Sequence, residues 1–510
     1  MSFRGGAVCT TDPFRPPRPE TIAMLTAAPP PPTAEPRERW LALSVLCVGV
    51  LMIVLDVTVV NVALPSIQGD LGFSQASLAW VVNAYLIAFG GLLLLAGRLG
   101  DLLSRRGVFL GGLAVFTTAS LACGLAAGQE MLVAARFVQG AGGAFTSAVV
   151  LGMIVTMFPQ PRDQARAIGI YAFVASAGGS IGLVAGGVLT QALDWHWIFF
   201  VNVPIGVATG LFALRLLPRD RGLGLRAGAD LPGAVLITAA LMLGVYTIVE
   251  PAATDGWGAT PTLVLGGASL ALLVAFLVRQ AHARTPLMPL RLLRSRPVAG
   301  ANLAQVLSAA GMFGVFFLGA LYVQEVLGYD ALQTGLAFLP ATIAMGTMSV
   351  RYSERLVMRF GARSAMLAGL LAVAAALALF TRAPADGGYV EHVLPVMLLL
   401  GVGGGVAFPA LMNLAMSGVR PQDAGLASGL VNTTAQVGGA LGLAVLATVS
   451  AARTDELRAA GEPVAHALLG GYHLAFWIAA GLVLVAVAVS AIVLTPRAPR
   501  PLAEPALAEE

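Results

Sequence analysis

Two charged residues stand where charge is costly. Asp56 lies in LDVTVVNVALP, residues 55–65, at the end of a long apolar run, and Arg136 opens RFVQGAGGA, residues 136–144, inside another. A charged side chain at membrane depth costs a few kcal/mol on insertion scales, so such residues face a protein interior or a cavity and serve function there. Burial disfavours the charged form of a carboxyl group and moves its titration toward neutral pH. Asp56 is therefore a candidate proton carrier; a structural hydrogen bond or a place at an entrance is the plainer alternative. Arg136 sits about five residues from the outer end of its run, roughly 8 Å deep at helical rise. Asp56 lies at a similar depth, so Arg136 can pair with it or snorkel to the interface. Insertion cost alone predicts that Asp56→Asn is tolerated, since a neutral group replaces a costly one.

Three further groups of residues carry physical meaning. GRLGDLLSRR, residues 97–106, holds Arg98, Asp101, Arg105 and Arg106 between two apolar runs. Such a cluster belongs in a polar hairpin between two spanning helices, and its arginines mark the cytoplasmic side. Gly97 and Gly100 are expected to let the backbone turn and the helix ends approach closely. In SAGGSIGLVAGG, residues 176–187, Gly178, Gly182 and Gly186 form two successive GxxxG steps, followed by Gly187. That stripe permits close backbone contact with another helix. Asn61, Asn83, Tyr85, Gln139, Asn302, Gln305, Asn413, Asn432 and Gln436 fall within apolar runs and form a candidate substrate cavity. Glu325, near an outer helix end, is expected to be exposed. Trp195 and Trp197 are expected to be interface anchors, with His196 a solvated residue between them.

These residues must be positioned by a membrane-embedded scaffold. The chain has 510 residues, 57% hydrophobic and 11% charged, against about 25% charged in a soluble domain. The net charge of +4 comes with arginines that follow membrane loops, so it does not imply nucleic-acid binding. All 30 basic residues are arginine, and the three cysteines form no disulfide framework. Apolar segments recur at 41–64, 78–97, 108–128, 131–158, 167–191, 198–217, 231–249, 261–278, 298–323, 333–350, 365–382, 393–416, 425–449 and 473–495. Most reach the ~20 residues that cross a bilayer as a helix, giving fourteen spans. With both termini inside, 26 arginines fall inside and only Arg382, Arg453 and Arg458 outside, as the positive-inside rule requires.

The chain also repeats itself. GAGG at 140–143 recurs as GVGG at 401–404, and GGSIG at 178–182 as GGALG at 438–442. RLGDLLSRRGVFLGG at 98–112 is similar to RLVMRFGARSAMLAG at 355–369, and PRDQA at 161–165 to RPQDA at 420–424. The repeat spacing is eight helices, so two parallel six-helix halves flank two additional helices. This divides the chain into a cytoplasmic tail (1–38), an N-terminal half (39–217), two extra helices with a linker (218–297), a C-terminal half (298–495) and a second tail (496–510). The tail contains Met24 as an alternative start.

The hairpin resembles the loop between the second and third helices of the major facilitator superfamily in Gly97, Leu99, Asp101, Arg105 and Arg106, with Ser104 in place of a glycine. LDVTVVNVALP closely resembles the first-helix motif of its fourteen-span drug:proton antiporters of the EmrB/QacA type. RFVQGAGGA is similar to the family motif whose arginine is linked to proton transfer. The 176–187 segment is similar to the antiporter motif, matching at Gly182, Gly186 and Gly187, with Leu183 where proline is expected. The resemblance implies an all-α membrane protein of the major facilitator fold, with Asp56 and Arg136 as proton-coupling residues. It implies efflux of small hydrophobic or cationic compounds in exchange for protons across the plasma membrane, by a monomer. An importer or facilitator on the same fold, or a non-transporting sensor, is the alternative. There is no GxxxxGK[ST] loop, the five histidines lack zinc-like spacing, and no loop is long enough for a catalytic domain. The expectation is no enzyme activity, no cofactor, no metal and no nucleic acid; protons, lipid and a small molecule are the partners.

Overall fold

In the computed structural model, residues 36–494 are described, apart from 221, 223, 225–227, 289 and 417–423. The tails expected at 1–38 and 496–510 lie outside the described residues save for Pro36–Glu38, as does most of the RPQDA repeat at 420–424. Among the described residues all regular structure is helical. Hydrocarbon cannot satisfy a peptide group, so a spanning segment must bond its backbone internally.

Among the described residues, thirteen helices are long and apolar enough to cross a membrane. They are α1 (Pro36–Leu71), α2 (Ser77–Leu102), α3 (Arg105–Gly124), α4 (Gln129–Met157), α6 (Trp197–Leu216), α7 (Leu231–Val249), α8 (Thr260–His282), α9 (Arg296–Val326), α10 (Ala331–Phe360), α11 (Ala362–Phe380), α12 (Tyr389–Met416), α13 (Ala424–Ala459) and α14 (Val464–Val493). Between α4 and α6 runs α5 (Pro161–Ala192), 32 residues long, whose Ile181–Ala192 part is apolar. The order therefore follows the fourteen expected segments. Several helices outrun them: α13 continues to Ala459 through Asp455, Glu456 and Arg458, and α14 begins nine residues before 473. Hydropathy marks the hydrocarbon, whereas a helix ends where its backbone bonds end. Within α4 the α-helix breaks at Val149, whose side chain packs onto Gly100 of α2.

The packing repeats with the same eight-helix spacing. In the first half α1 packs on α5 and α6, and α4 on α2 and α3; in the second, α9 packs on α13 and α14, and α12 on α10 and α11. Gly438 and Gly442 press α13 onto Val306 and Ala310 of α9, as Gly178 and Gly182 press α5 onto Val54 and Thr58 of α1. The halves meet along two equivalent seams, α5 with α10 and α2 with α13. At the first, a Cβ on Gly187 would meet Leu332 Cα at 2.6 Å, and Gly335 lies under the Leu183 carbonyl. At the second, Gly90 meets the Gln436 side chain and Gly429 meets Leu94. The extra helix α7 covers the α2–α13 seam, while α8 packs on α7 and is largely exposed. Asp230 caps α7 through the Gly233 amide and binds Arg279 and Gln280 of α8, tying the pair together.

The polar hairpin is tighter than its sequence suggests. GRLGDL is helical to Leu102, leaving Leu103 and Ser104 as the turn. Gly100 makes the expected close approach, but Gly97 does not: a Cβ there meets open space, because that face of α2 points away from its neighbours. Ser104 serves as the N-cap of α3, accepting from the Gly107 amide at 3.1 Å, so serine replaces the motif's glycine with a capping function.

Candidate functional site

Asp56 and Arg136 meet in the interior of the first half. Arg136 Nη1 lies 2.5 Å from Asp56 Oδ2, and the two side chains are 1% and 0% exposed. Asp56 Oδ1 accepts from Gln139 Nε2 at 2.7 Å and from Asn202 Nδ2 at 3.1 Å. Gln139 Nε2 also donates to Ser120 Oγ, and Arg136 donates to Gln139 Oε1 at 2.7 Å and to the Val81 carbonyl at 2.9 Å. The guanidinium stands 4.5 Å from the Tyr85 ring centroid. Five helices, α1, α2, α3, α4 and α6, thus converge on one ion pair. A buried pair tolerates its desolvation only with such geometry and extra hydrogen bonds. Snorkelling is ruled out for Arg136: its head points inward onto α1. Ser120, Asn202 and the Val81 carbonyl carry no signal in the sequence, because lone polar residues in spans are common.

A separate cavity of about 600 Å³ opens between the halves. Val57, Thr58 and Asn61 of α1 line it, facing Gln305, Met312, Phe313 and Phe316 of α9, Met345 of α10, and Phe408 and Met412 of α12. Asp56 and Val57 are consecutive, so α1 turns its carboxylate toward the ion-pair network and its next residues toward the cavity.

Of the nine cavity candidates, only Asn61 and Gln305 line this space. Gln139 belongs to the ion-pair network instead. Tyr85 is buried against Arg136, and Asn83 is buried on the same helix. Asn302 bonds within α9 and accepts from Thr434 of α13, bridging two helices. Gln436 packs its Cβ on Gly90 at the seam, and Asn413 and Asn432 are exposed on α12 and α13. Polarity within a span is satisfied by helix bridges as readily as by a cavity, and periodicity does not distinguish them.

The conformational motif works through contacts with other segments. Arg105 pairs with Asp101 at 3.0 Å and reaches the Gly152 carbonyl of α4 at 3.2 Å. Arg106 reaches the Leu214 carbonyl of α6 at 2.5 Å. Asp220, unremarked in the sequence, accepts from Ser104 Oγ at 2.6 Å and from the Arg105 and Arg106 amides. Burial pushes the Asp220 carboxyl up, but these hydrogen bonds outweigh it and hold it below the usual carboxylate range.

Two peripheral expectations change. Trp195 is buried, donating from Nε1 to Asp70 at 3.0 Å and stacking on His196, while Trp197 is exposed. Glu325 is part-buried rather than exposed: a π-turn at the end of α9 aims it at Tyr472, whose hydroxyl donates to it at 2.6 Å. The same turn lets Gln324 donate to the Val62 carbonyl of α1, across the two halves.

Two six-helix halves of repeated packing around a central cavity define a multi-pass membrane transporter. The chain belongs to the major facilitator superfamily, whose family model matches residues 46–443. It is 41% identical over 425 residues to the puromycin resistance protein pur8 of Streptomyces alboniger, covering 82% of this chain and 83% of that one. It is 43% identical over 418 residues to the cephamycin export protein CmcT of Amycolatopsis lactamdurans (81% and 85% covered). The tetracenomycin C resistance and export protein of Streptomyces glaucescens is 34% identical over 418 residues (82% and 77%). In fold the chain is similar to the nucleoside transporter NupG, with a TM-score of 0.64 at 13% identity over 89% of this chain and all of that one. A bacterial homologue of the human lysosomal transporter Spinster, inward-facing and unoccupied, gives 0.63 at 17% identity (90% and 97%).

Proposed function

We propose that the protein is a proton-coupled efflux transporter that exports small hydrophobic or cationic compounds, antibiotics among them, across the plasma membrane. It works as a monomer with both termini cytoplasmic, without a cofactor and without enzymatic chemistry. The observation that carries this reading is the two-faced α1, with the Asp56–Arg136 pair on one side and the cavity on the other. The names of the resistance and export relatives support the direction. Protonation of Asp56 neutralises Arg136's partner and weakens the contacts that hold α1 to α4 and α6. Motion of α1 reshapes the cavity through Val57, Thr58 and Asn61. The halves rock about the two seams, exposing the cavity alternately to each side. The inward proton gradient then drives export.

The paired geometry reverses the expectation that Asp56→Asn folds and inserts without penalty, since it strands a buried guanidinium. The test therefore uses the neutral double variant Asp56→Asn/Arg136→Gln, purified and placed in liposomes. It should bind substrate with roughly wild-type affinity, yet neither release protons on binding nor accumulate substrate when a pH gradient is imposed. Full pH-driven accumulation by this variant would show that another residue carries the proton.

A further inference from the structure

The cavity between the halves bears on which compounds the transporter accepts. Among its described lining residues there is no aspartate, glutamate, arginine or histidine. The carboxylate of Asp56, next in sequence to the lining residue Val57, cannot serve as a counter-ion, because Arg136, Gln139 and Asn202 occupy it and its side chain has no exposure. A hydrated cation moved from water into such a space loses several kcal/mol of hydration without a counter-charge, and aromatic faces return only about 0.5–2 kcal/mol of it. The lining offers instead aromatic faces at Phe313, Phe316 and Phe408 and soft thioethers at Met312, Met345 and Met412. Both groups favour flat or irregular apolar rings.

The polar groups there are neutral and sit on both halves. Asn61 donates one amide proton to the Val57 carbonyl at 3.2 Å, which leaves its carbonyl oxygen for a ligand. Gln305, facing it from α9, forms no hydrogen bond among the described residues and presents a free donor and acceptor. The hydroxyls of Thr58 and Thr342 spend their protons on helix carbonyls, so toward the cavity they act as acceptors. A volume of about 600 Å³ suits one drug-sized molecule.

We propose that the compounds held in this cavity are uncharged, ring-bearing amphipathic molecules whose neutral hydrogen-bonding group lies between Asn61 and Gln305. The proposal rests on the efflux reading and narrows it, setting neutral cargo above the cations that the resemblance also allows. A probe pair of matched shape tests it: triphenylphosphine oxide, which is neutral with one strong acceptor, and methyltriphenylphosphonium, its cationic counterpart. Binding to the purified full-length protein in nanodiscs should favour the oxide by at least about tenfold, equivalent to 1.4 kcal/mol. Gln305→Leu should weaken the oxide and leave the phosphonium unchanged. Thr342→Asp, which places a carboxylate on the wall, should raise phosphonium binding. Equal or tighter binding of the phosphonium by the unaltered protein, or no binding of either probe, overturns the proposal. The oxide preference with no proton-driven movement of the oxide in liposomes would leave the assignment of cargo standing and overturn the efflux reading instead.

Discussion

At the scale of single residues, the Asp56–Arg136 pair is stable only as a pair. Each charge is fully buried, and each is satisfied by the other and by neutral donors and acceptors on α2, α4 and α6. Removing one partner from a buried pair costs about 3–5 kcal/mol, because the survivor stays desolvated and unpaired. Arg136→Gln alone and Asp56→Asn alone should therefore each lower the thermal unfolding midpoint in detergent clearly. The double variant should recover much of the loss, giving a favourable coupling energy in the cycle. Additive losses in the cycle would mean that the two groups do not depend on each other.

At the scale of elements, small residues set how closely helices approach. A Cβ on Gly182 would meet Thr58 Oγ1 of α1 within contact distance, whereas one on Gly111 of α3 meets nothing. Gly182→Leu should cost about 1–3 kcal/mol by overpacking and impair transport. Gly111→Leu, at equal expression, should do neither, as read by unfolding midpoint and by efflux rate. Gly72 would be a poor control, since its φ of 69° strains any other residue. The hairpin strap is an element of a different kind, held by one carboxylate. Because Asp220's folded-state pKa is depressed, its contribution is present above the unfolded value of about 3.9 and lost as pH falls through the folded one. The Gly222 and Gly224 amides bond to the Leu103 and Leu102 carbonyls beside it. Hydrogen exchange at those amides should be slow at neutral pH and, relative to the intrinsic rate, accelerate below about pH 4. Asp220→Asn should accelerate it at neutral pH as well.

At the scale of the whole molecule, the halves are joined at the end that carries residues 187–191 and 331–335. Gly187 abuts Leu332, and Gln191 donates to Asp330 at 3.2 Å. The proposed alternating access requires this junction to part in every cycle. A Gln191→Cys/Asp330→Cys variant, bridged by a short reducible bis-methanethiosulfonate, should lose transport and regain it on reduction. Of the three natural cysteines, Cys47 and Cys123 are buried, and the variant also carries Cys9→Ser so that no tail thiol competes. Unchanged transport by the fully cross-linked protein would mean that this seam does not open.

The sequence by itself determined the class of the molecule, the helix order and the two repeated halves. Hydrocarbon admits only self-bonded helices, so apolar length translates almost directly into spans, and a repeated glycine pattern translates into repeated packing. It also singled out Asp56 and Arg136, because a charge in an apolar run is conspicuous without any knowledge of its neighbours. Only the tertiary structure decided what those charges do: they face each other across α1 and α4, not the cavity or the interface. The same holds for Asn302 and Gln436, which read like Asn61 and Gln305 along the chain yet point between helices. In a helix bundle with both apolar and polar residues buried, the direction of a side chain depends on how each helix is rotated. That rotation is set by contacts hundreds of residues apart, such as Gln324 on the Val62 carbonyl, and those contacts leave no local trace in the sequence.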